Sequence, residues 1–385
     1  MDKAKVLYAN ARATTWEYDY SVPAKLEELL LRTNLSRYIQ PEEYVAIKMH
    51  LGSEGAYRTV RPVFVRKVVD AVKAVGGKPF IAETTRIPGL EYLEVAAANG
   101  YSHLTCGAPI IMADGIFGRD TIQVKVEDGR LIQEIGVASA IYDAPAMIVL
   151  SHCKGHIEPG YGGAIKNLAM GGVGVRTRCN HVNRGNLHST AHHPPLWTKE
   201  NCTWCGHCEK VCPVSAITLK KGEAWIVDEE KCDQCGRCAR VCTFGALEMP
   251  IGADLFSRGM AESTKAVLST FAPGKVLYVN FVMEVQPECD CMPTADTPLV
   301  QDQGILISDD IVAIETATLD LLDKATPLPQ SKAADKGITT PGDLFLRVNG
   351  QDPRLAVGYA EELGLGKSSY ELVEIKKKRK SKASN

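Results

Sequence analysis

An α/β fold, with a mostly parallel sheet flanked by helices and a small cysteine-rich α+β module inserted into it, is what the 385-residue sequence predicts. Three observations predict it. Apolar runs of strand length alternate with segments of helical periodicity, the alternation stops near residue 196 and resumes near 251, and closely spaced cysteines fill the gap. Such alternation marks β–α–β units and a parallel sheet. The expected limits are 1–195 and 251–376 for the two parts of the α/β domain, 196–250 for the module and 377–385 for a basic, disordered tail.

The elements follow in chain order. EYVAIKMHLG (43–52) reads as a buried strand, and RPVFVRKVVDAVKAVGG as a helix with Pro62 in its first turn and Gly76-Gly77 at its end. Val60, Phe64, Val68, Ala71, Val72 and Val75 recur on one face of that helix. KPFIAETT is a strand, GLEYLEVAAANG a helix and AMIVLSH (146–152) a strand. AIKNLAM starts a further helix, whose amide end suits an anion. Beyond the module come a helix in GADLFSRGMAESTKAVLSTF, strands in KVLYVNFVM and GILIS, a helix from DDIVAIETATLDLL capped by Asp309 or Asp310, and a last helix in DPRLAVGYAEELGLG.

Composition excludes several classes. Lys plus Arg number 44 against 46 Asp plus Glu, so global charge makes no case for nucleic acid or an anionic membrane. No stretch approaches the roughly 18 apolar residues of a membrane helix, and the first twenty residues lack an apolar export core. A cytoplasmic protein is expected. In such a chain, thirteen cysteines point to metal rather than to disulfides.

CTWCGHCEKVCP begins at Cys202, and CDQCGRCARVCT repeats its spacing from Cys232. Each is C-x2-C-x2-C-x3-C, by which a loop wraps three thiolates around one iron–sulfur cube and sends its fourth to the other. Cys202, Cys205, Cys208 and Cys242 are expected to hold one [4Fe-4S] cluster, and Cys232, Cys235, Cys238 and Cys212 the second. Gly206 and Gly236 relieve crowding in the loops, Ala216-Ile217 and Ala246-Leu247 cover each last cysteine, and the residues between read as a hairpin turning at Lys221-Gly222. Paired four-cysteine zinc sites are the alternative, but zinc has no use for the third and fourth cysteines at these spacings, twice over. The segment resembles bacterial-type two-cluster ferredoxins, from which it departs at Thr243, where the first half has Pro213.

In parallel sheets, ligands gather at the carboxyl ends of strands. Lys48 and His50 end one strand; His152, Lys154 and His156 follow another, leading into GHIEPGYGGAIKNLAMGG with Tyr161 and Lys166 among glycines. Arg176 and Arg178, in a segment rich in Arg and His, offer charge to an acidic substrate. PECDCMPTADTPLVQD sets Cys289 and Cys291 one residue apart, as metal ligands or as a redox thiol pair. Cys106, Cys153 and Cys179 have no ligand spacing and read as ordinary buried thiols.

IKMH, GAIKNL, CDC and GILISDDIVAIETA together resemble the prokaryotic family known as domain of unknown function 362, in its ferredoxin-containing form, although members often show Lys-Pro-Asn where this chain has Lys48-Met49-His50. The resemblance implies iron–sulfur binding and redox activity. His156, Gly160, Tyr161, Gly163 and Lys166 also resemble the His…Gly-Tyr-x-Gly…Lys segment of nickel-pincer lactate racemases, in which the lysine carries a covalent cofactor and the histidine assists. His181 falls near that family's later histidine, and Thr84-Thr85-Arg86 replaces its Thr-His-Arg. What is carried over is the pocket.

The expectation is an iron–sulfur oxidoreductase whose two clusters relay electrons to a small anionic ligand, with Lys166, His156 and Tyr161 positioning it or donating protons, and with a protein redox partner. A non-catalytic electron carrier or maturation factor, and an enzyme with a metal cofactor tethered to lysine, remain alternatives.

Overall fold

In the computed structural model, residues 3–174, 195–212, 214–232, 237–248 and 253–375 are described. The expected basic tail lies outside them. Among the described residues, eight strands form one sheet: β1 (Ala4–Asn10), β2 (Tyr44–Met49), β3 (Lys78–Glu83), β4 (Ile110–Met112), β5 (Ala146–His152), β6 (Val276–Val282), β7 (Gly304–Ser308) and β8 (Tyr370–Glu374). Their spatial order is β8-β1-β7-β6-β5-β2-β3-β4.

Pairing is parallel throughout except at β7, which runs antiparallel to both neighbours. The sheet is therefore mostly parallel, as expected, and the exception has a local cause. No helix separates β6 from β7. The chain instead loops back on one edge, Gln303 N–H donating to the Val282 carbonyl at 2.8 Å, and antiparallel strands need no crossover.

Both faces of the sheet are covered, which accounts for the near-continuous apolar runs of its central strands. Along β2, β5 and β6, Ala46, Met147, Val149 and Tyr278 enter one core, while Val45, Ile47, Ile148, Leu150, Leu277 and Val279 enter the other. Helices Val22–Thr33, Pro62–Ala74 and Gly89–Ala98 cover the second face; Ala164–Gly171, Ala253–Ser269 and Ile311–Lys324 cover the first. The Pro62–Ala74 helix begins on its proline and buries Phe64, Val65, Val68, Val69 and Val72. Asp310 caps the Ile311–Lys324 helix, its side chain accepting from Ala313 N–H.

Residues 196–248 lie in the chain between β5 and β6, and those of them that are described take no part in the main sheet. They form two short antiparallel pairs, Leu196–Trp197 with Leu247–Glu248 and Ile217–Lys220 with Ala224–Val227, and two helices, His207–Val211 and Arg237–Val241. The second pair is the expected hairpin, with Gly222 at φ +83° in its turn. Cys208, Ile217, Trp225, Cys238 and Leu247 make a core of their own.

Candidate functional site

Because β2, β3, β5 and β6 are parallel, their carboxyl ends meet at one edge, and polar side chains collect there. At the end of β2, Lys48 Nζ lies 3.1 Å from Glu83 Oε1 and donates to Asn167 Oδ1 at 2.7 Å, while His50 Nδ1 is 2.9 Å from Glu83 Oε2. Burial alone would raise the Glu83 carboxyl, but Lys48 and His50 outweigh it and bring it down to about 2. The ammonium fits here because residue 171 is glycine: a Cβ there would sit 2.5 Å from Lys48 Nζ.

At the end of β5, His152 Nδ1 lies 2.9 Å from Asp290 Oδ1, and Lys154 Nζ 3.1 Å from Asp290 Oδ2. Gln286 Nε2 adds a donor at 3.0 Å. Against burial, His152 and Lys154 lower the Asp290 carboxyl to about 2. The short hairpin Lys154–His156 with Gly160–Gly162 then brings Gly155 N–H to the Gln286 carbonyl at 2.8 Å. A Cβ on Gly155 would lie 2.1 Å from the Pro287 carbonyl oxygen, so only glycine lets the loop after β6 approach so closely. That loop closes a turn, Met292 N–H donating to the Cys289 carbonyl at 2.9 Å, and Ser53 Oγ ties it down through the Asp290 and Met292 carbonyls.

The turn delivers Cys289, 2 % exposed, to Lys166, whose Nζ donates to its sulfur at 2.8 Å. Cys291 N–H donates to the same sulfur at 3.3 Å. Ligand atoms of His156, Cys289 and Cys291 lie within 4.8 Å of one another. A hydrogen bond from Cys291 holds the Cys289 thiol well below its ordinary value; burial opposes this, and Lys166 and His156 reinforce it. Cys291 is pushed up by that same bond and by burial. Burial pulls Lys166 down, yet attraction to Cys289 and Cys291 exceeds it and raises the ammonium. Burial and then the Lys166 charge lower His156, keeping the ring neutral. Its Nδ1 accepts from Glu158 N–H at 3.1 Å, which leaves the ring proton on Nε2. The Cys289 sulfur is thus surrounded by donors that favour its thiolate form. The same atoms are spaced for one soft ion, but the ammonium on Cys289 and the committed Nδ1 both favour thiol chemistry over coordination.

Within residues 196–248, a small pocket is lined by Cys202, Cys205, Cys208 and Cys242, with Trp197, Leu219, Trp225 and Leu247 among its walls. These are three cysteines of the first repeat and one of the second, the set that the spacing groups together. Trp204 and Gly206 adopt left-handed backbone at φ +61° and +76°, bending the first repeat around this space. The Trp197 indole nitrogen is buried without an acceptor among the described residues, and Trp225 faces the Cys208 sulfur. Ala216 N–H donates to Cys212 Sγ at 3.2 Å. Of the second set, Cys212, Cys232 and Cys238 are described and Cys235 lies outside the described residues.

The sequence model of the family described as Domain of unknown function (DUF362) matches residues 45–320. The chain belongs to this family. The DUF362 region takes in everything named so far at the sheet edge, from Lys48 to Met292, together with the cysteine-rich segment; β1, β8 and the helices after residue 324 lie beyond it. No curated protein matches. Among solved structures, a lactate racemase apoprotein from Thermoanaerobacterium thermosaccharolyticum is similar at 12 % identity and TM-score 0.30, covering 73 % of this chain and 51 % of that one. A Thermotoga maritima protein is similar at 10 % identity and TM-score 0.37, covering 90 % and 61 %. The chain thus spans between half and two thirds of the length of these two proteins, and likeness at this level carries no argument about the site.

Of the residues that the sequence points to, Lys166, His156, Cys289 and Cys291 meet directly, and His152 reaches them through Asp290. Lys48 and His50 share Glu83. Tyr161 turns away: its hydroxyl lies 3.3 Å from both Cys153 Sγ and Glu315 Oε1. The amide end of the Ala164–Gly171 helix, expected to suit an anion, is taken by that same Glu315, which accepts from Ala164 N–H at 2.8 Å. Arg176, Arg178 and His181 lie outside the described residues, as does Cys179; Cys106 and Cys153 are buried thiols. Motif spacing gives no sign of Glu83, Asn167, Gln286 or Glu315. Glu83 alone carried a local signal, as an acid at the end of a buried strand. Among the described residues no helix is long and apolar enough to cross a membrane.

Proposed function

We propose that this DUF362 protein is an iron–sulfur redox protein. One [4Fe-4S] cluster would be held by Cys202, Cys205, Cys208 and Cys242, and a second by Cys212, Cys232, Cys235 and Cys238, serving a small anionic ligand at the sheet edge. The observation that carries the reading is the cavity lined by four cysteines from two repeats, with apolar walls and an indole donor lacking an acceptor. Such a donor set suits a cube, whose potential responds to hydrogen bonds and solvent exposure. When bound, the clusters supply one-electron transfers. The chain's part is to hold them, to exclude water with Trp225, Leu219 and Leu247, and to donate to sulfur from Ala216 N–H. At the sheet edge, the Lys166 ammonium is poised for charge rather than for amine chemistry, which favours this reading over a cofactor tethered to that lysine.

The test is iron and acid-labile sulfide on anaerobically purified or reconstituted protein, with EPR after reduction. Roughly eight irons per chain and a reduced-cluster signal are expected. Two tightly held zinc ions, with no iron taken up on reconstitution, would overturn the proposal.

A further inference from the structure

The iron–sulfur reading does not use the Cys289–Cys291 turn. That turn has the parts of a thiol–disulfide site. Cys289 Sγ takes hydrogen bonds from Lys166 Nζ at 2.8 Å and Cys291 N–H at 3.3 Å, and neither cysteine is in a disulfide. The turn that Asp290 and Ser53 anchor folds Cys291 back over Cys289. Cys289 is buried and Cys291 half-buried, so an incoming molecule meets Cys291 first. Near Cys291 stands the half-buried Arg86, whose charge acts on that thiol.

We propose that Cys289 and Cys291 form a redox-active dithiol that reduces an anionic, low-molecular-weight disulfide entering on the Cys291 side. The small size follows from the partial burial of Cys291, and the negative charge from Arg86 and Lys166. Cys291 hands its proton through the neighbouring Cys289 thiolate to the departing half of the substrate, and as a thiolate it attacks the other sulfur to form a mixed disulfide. The Cys289 thiolate then attacks Cys291 Sγ, expelling the second half of the substrate as thiolate and leaving a Cys289–Cys291 disulfide. Two electrons and one proton restore the Cys289 thiolate and the Cys291 thiol. The couple stands on the geometry of the turn, and only the source of those electrons, the two clusters acting in single steps, rests on the iron–sulfur reading.

Trypsin releases both cysteines on one peptide, Val276–Lys324, which holds no other cysteine. The reduced, full-length protein is equilibrated anaerobically in buffers of reduced and oxidised glutathione, trapped with an alkylating reagent and mapped at that peptide, with iron measured on the same samples. The expected result is two populations, doubly alkylated and internally bonded, whose ratio changes tenfold for each ~30 mV of buffer potential, as a two-electron couple requires. Cys289→Ser should instead collect a single glutathione adduct on Cys291, the resolving sulfur being gone. Lys166→Met should favour the disulfide at least tenfold in a given buffer, because it removes the cation that stabilises the thiolate. A peptide that stays doubly alkylated at every ratio would overturn the proposal, as would one alkylated only after a chelator strips a stoichiometric metal other than iron. Iron content reads the cluster assignment separately, so loss of one result does not obscure the other.

Discussion

Asp290 binds the site together, and its replacement by asparagine isolates what its charge contributes. The side chain is fully buried and faces His152 at 2.9 Å, Gln286 at 3.0 Å and Lys154 at 3.1 Å. Asp290→Asn keeps the shape and one acceptor but leaves the Lys154 ammonium, 6 % exposed, without its counter-charge. Breaking a buried pair in this way costs about 3–5 kcal/mol. The lowering of the carboxyl from 3.8 to about 2 corresponds independently to about 2–3 kcal/mol. With about 2 cal/mol/K of unfolding entropy per residue, a loss near 4 kcal/mol lowers the Tm by about 5 °C. A depressed carboxylate stabilises fully above its unfolded value and loses that contribution as pH falls through its folded value. The gap between wild type and variant should therefore be complete above pH 4 and should close as pH falls toward about 2. Urea and thermal unfolding at a series of pH values measure it. A gap below about 1 kcal/mol at pH 7, or one that persists unchanged at low pH, would refute the reasoning.

Two other substitutions separate the site from its supports. Gly155→Ala would place a methyl 2.1 Å from the Pro287 carbonyl, so the loop after β6 must move; a cost of about 1–3 kcal/mol and faster alkylation of Cys291 are expected by denaturation and peptide mapping. Tyr161→Phe removes a hydroxyl that serves Cys153 and Glu315 rather than Cys289, so it should cost about 0.5–1.5 kcal/mol while leaving the pH profile of Cys289 alkylation unchanged.

The sheet was legible because its strands are buried on both faces: VAIKM, PFIAE, AMIVLSH and VLYVNFV announce themselves by apolar continuity. The strands on the β8 side of the sheet were less so. β1 and β8 keep part of their residues toward solvent, and β7 gives no sign in GILIS of the direction in which it runs. At the site, cations and cysteines stood out by spacing, and their counter-charges did not. Glu83 reaches Lys48, and Glu315 reaches Ala164 N–H, from distant positions in the chain. Asp290 was visible between two cysteines, but its partnership with His152 and Lys154 depends on a loop placed by Gly155. Tyr161 shows the limit most clearly: hairpin pairing with Gly155 turns its ring toward the core, and motif spacing alone cannot say so.

The central claim, that the two cysteine repeats exchange their last ligand, is tested most directly by the iron content of Cys205→Ser, Cys242→Ser and the double variant after identical anaerobic reconstitution. If both residues hold one cluster, each single variant loses about half the iron and the double loses no more than either. If the two losses add, leaving the double variant with almost none, Cys205 and Cys242 serve different clusters and the assignment drawn from the cavity is wrong.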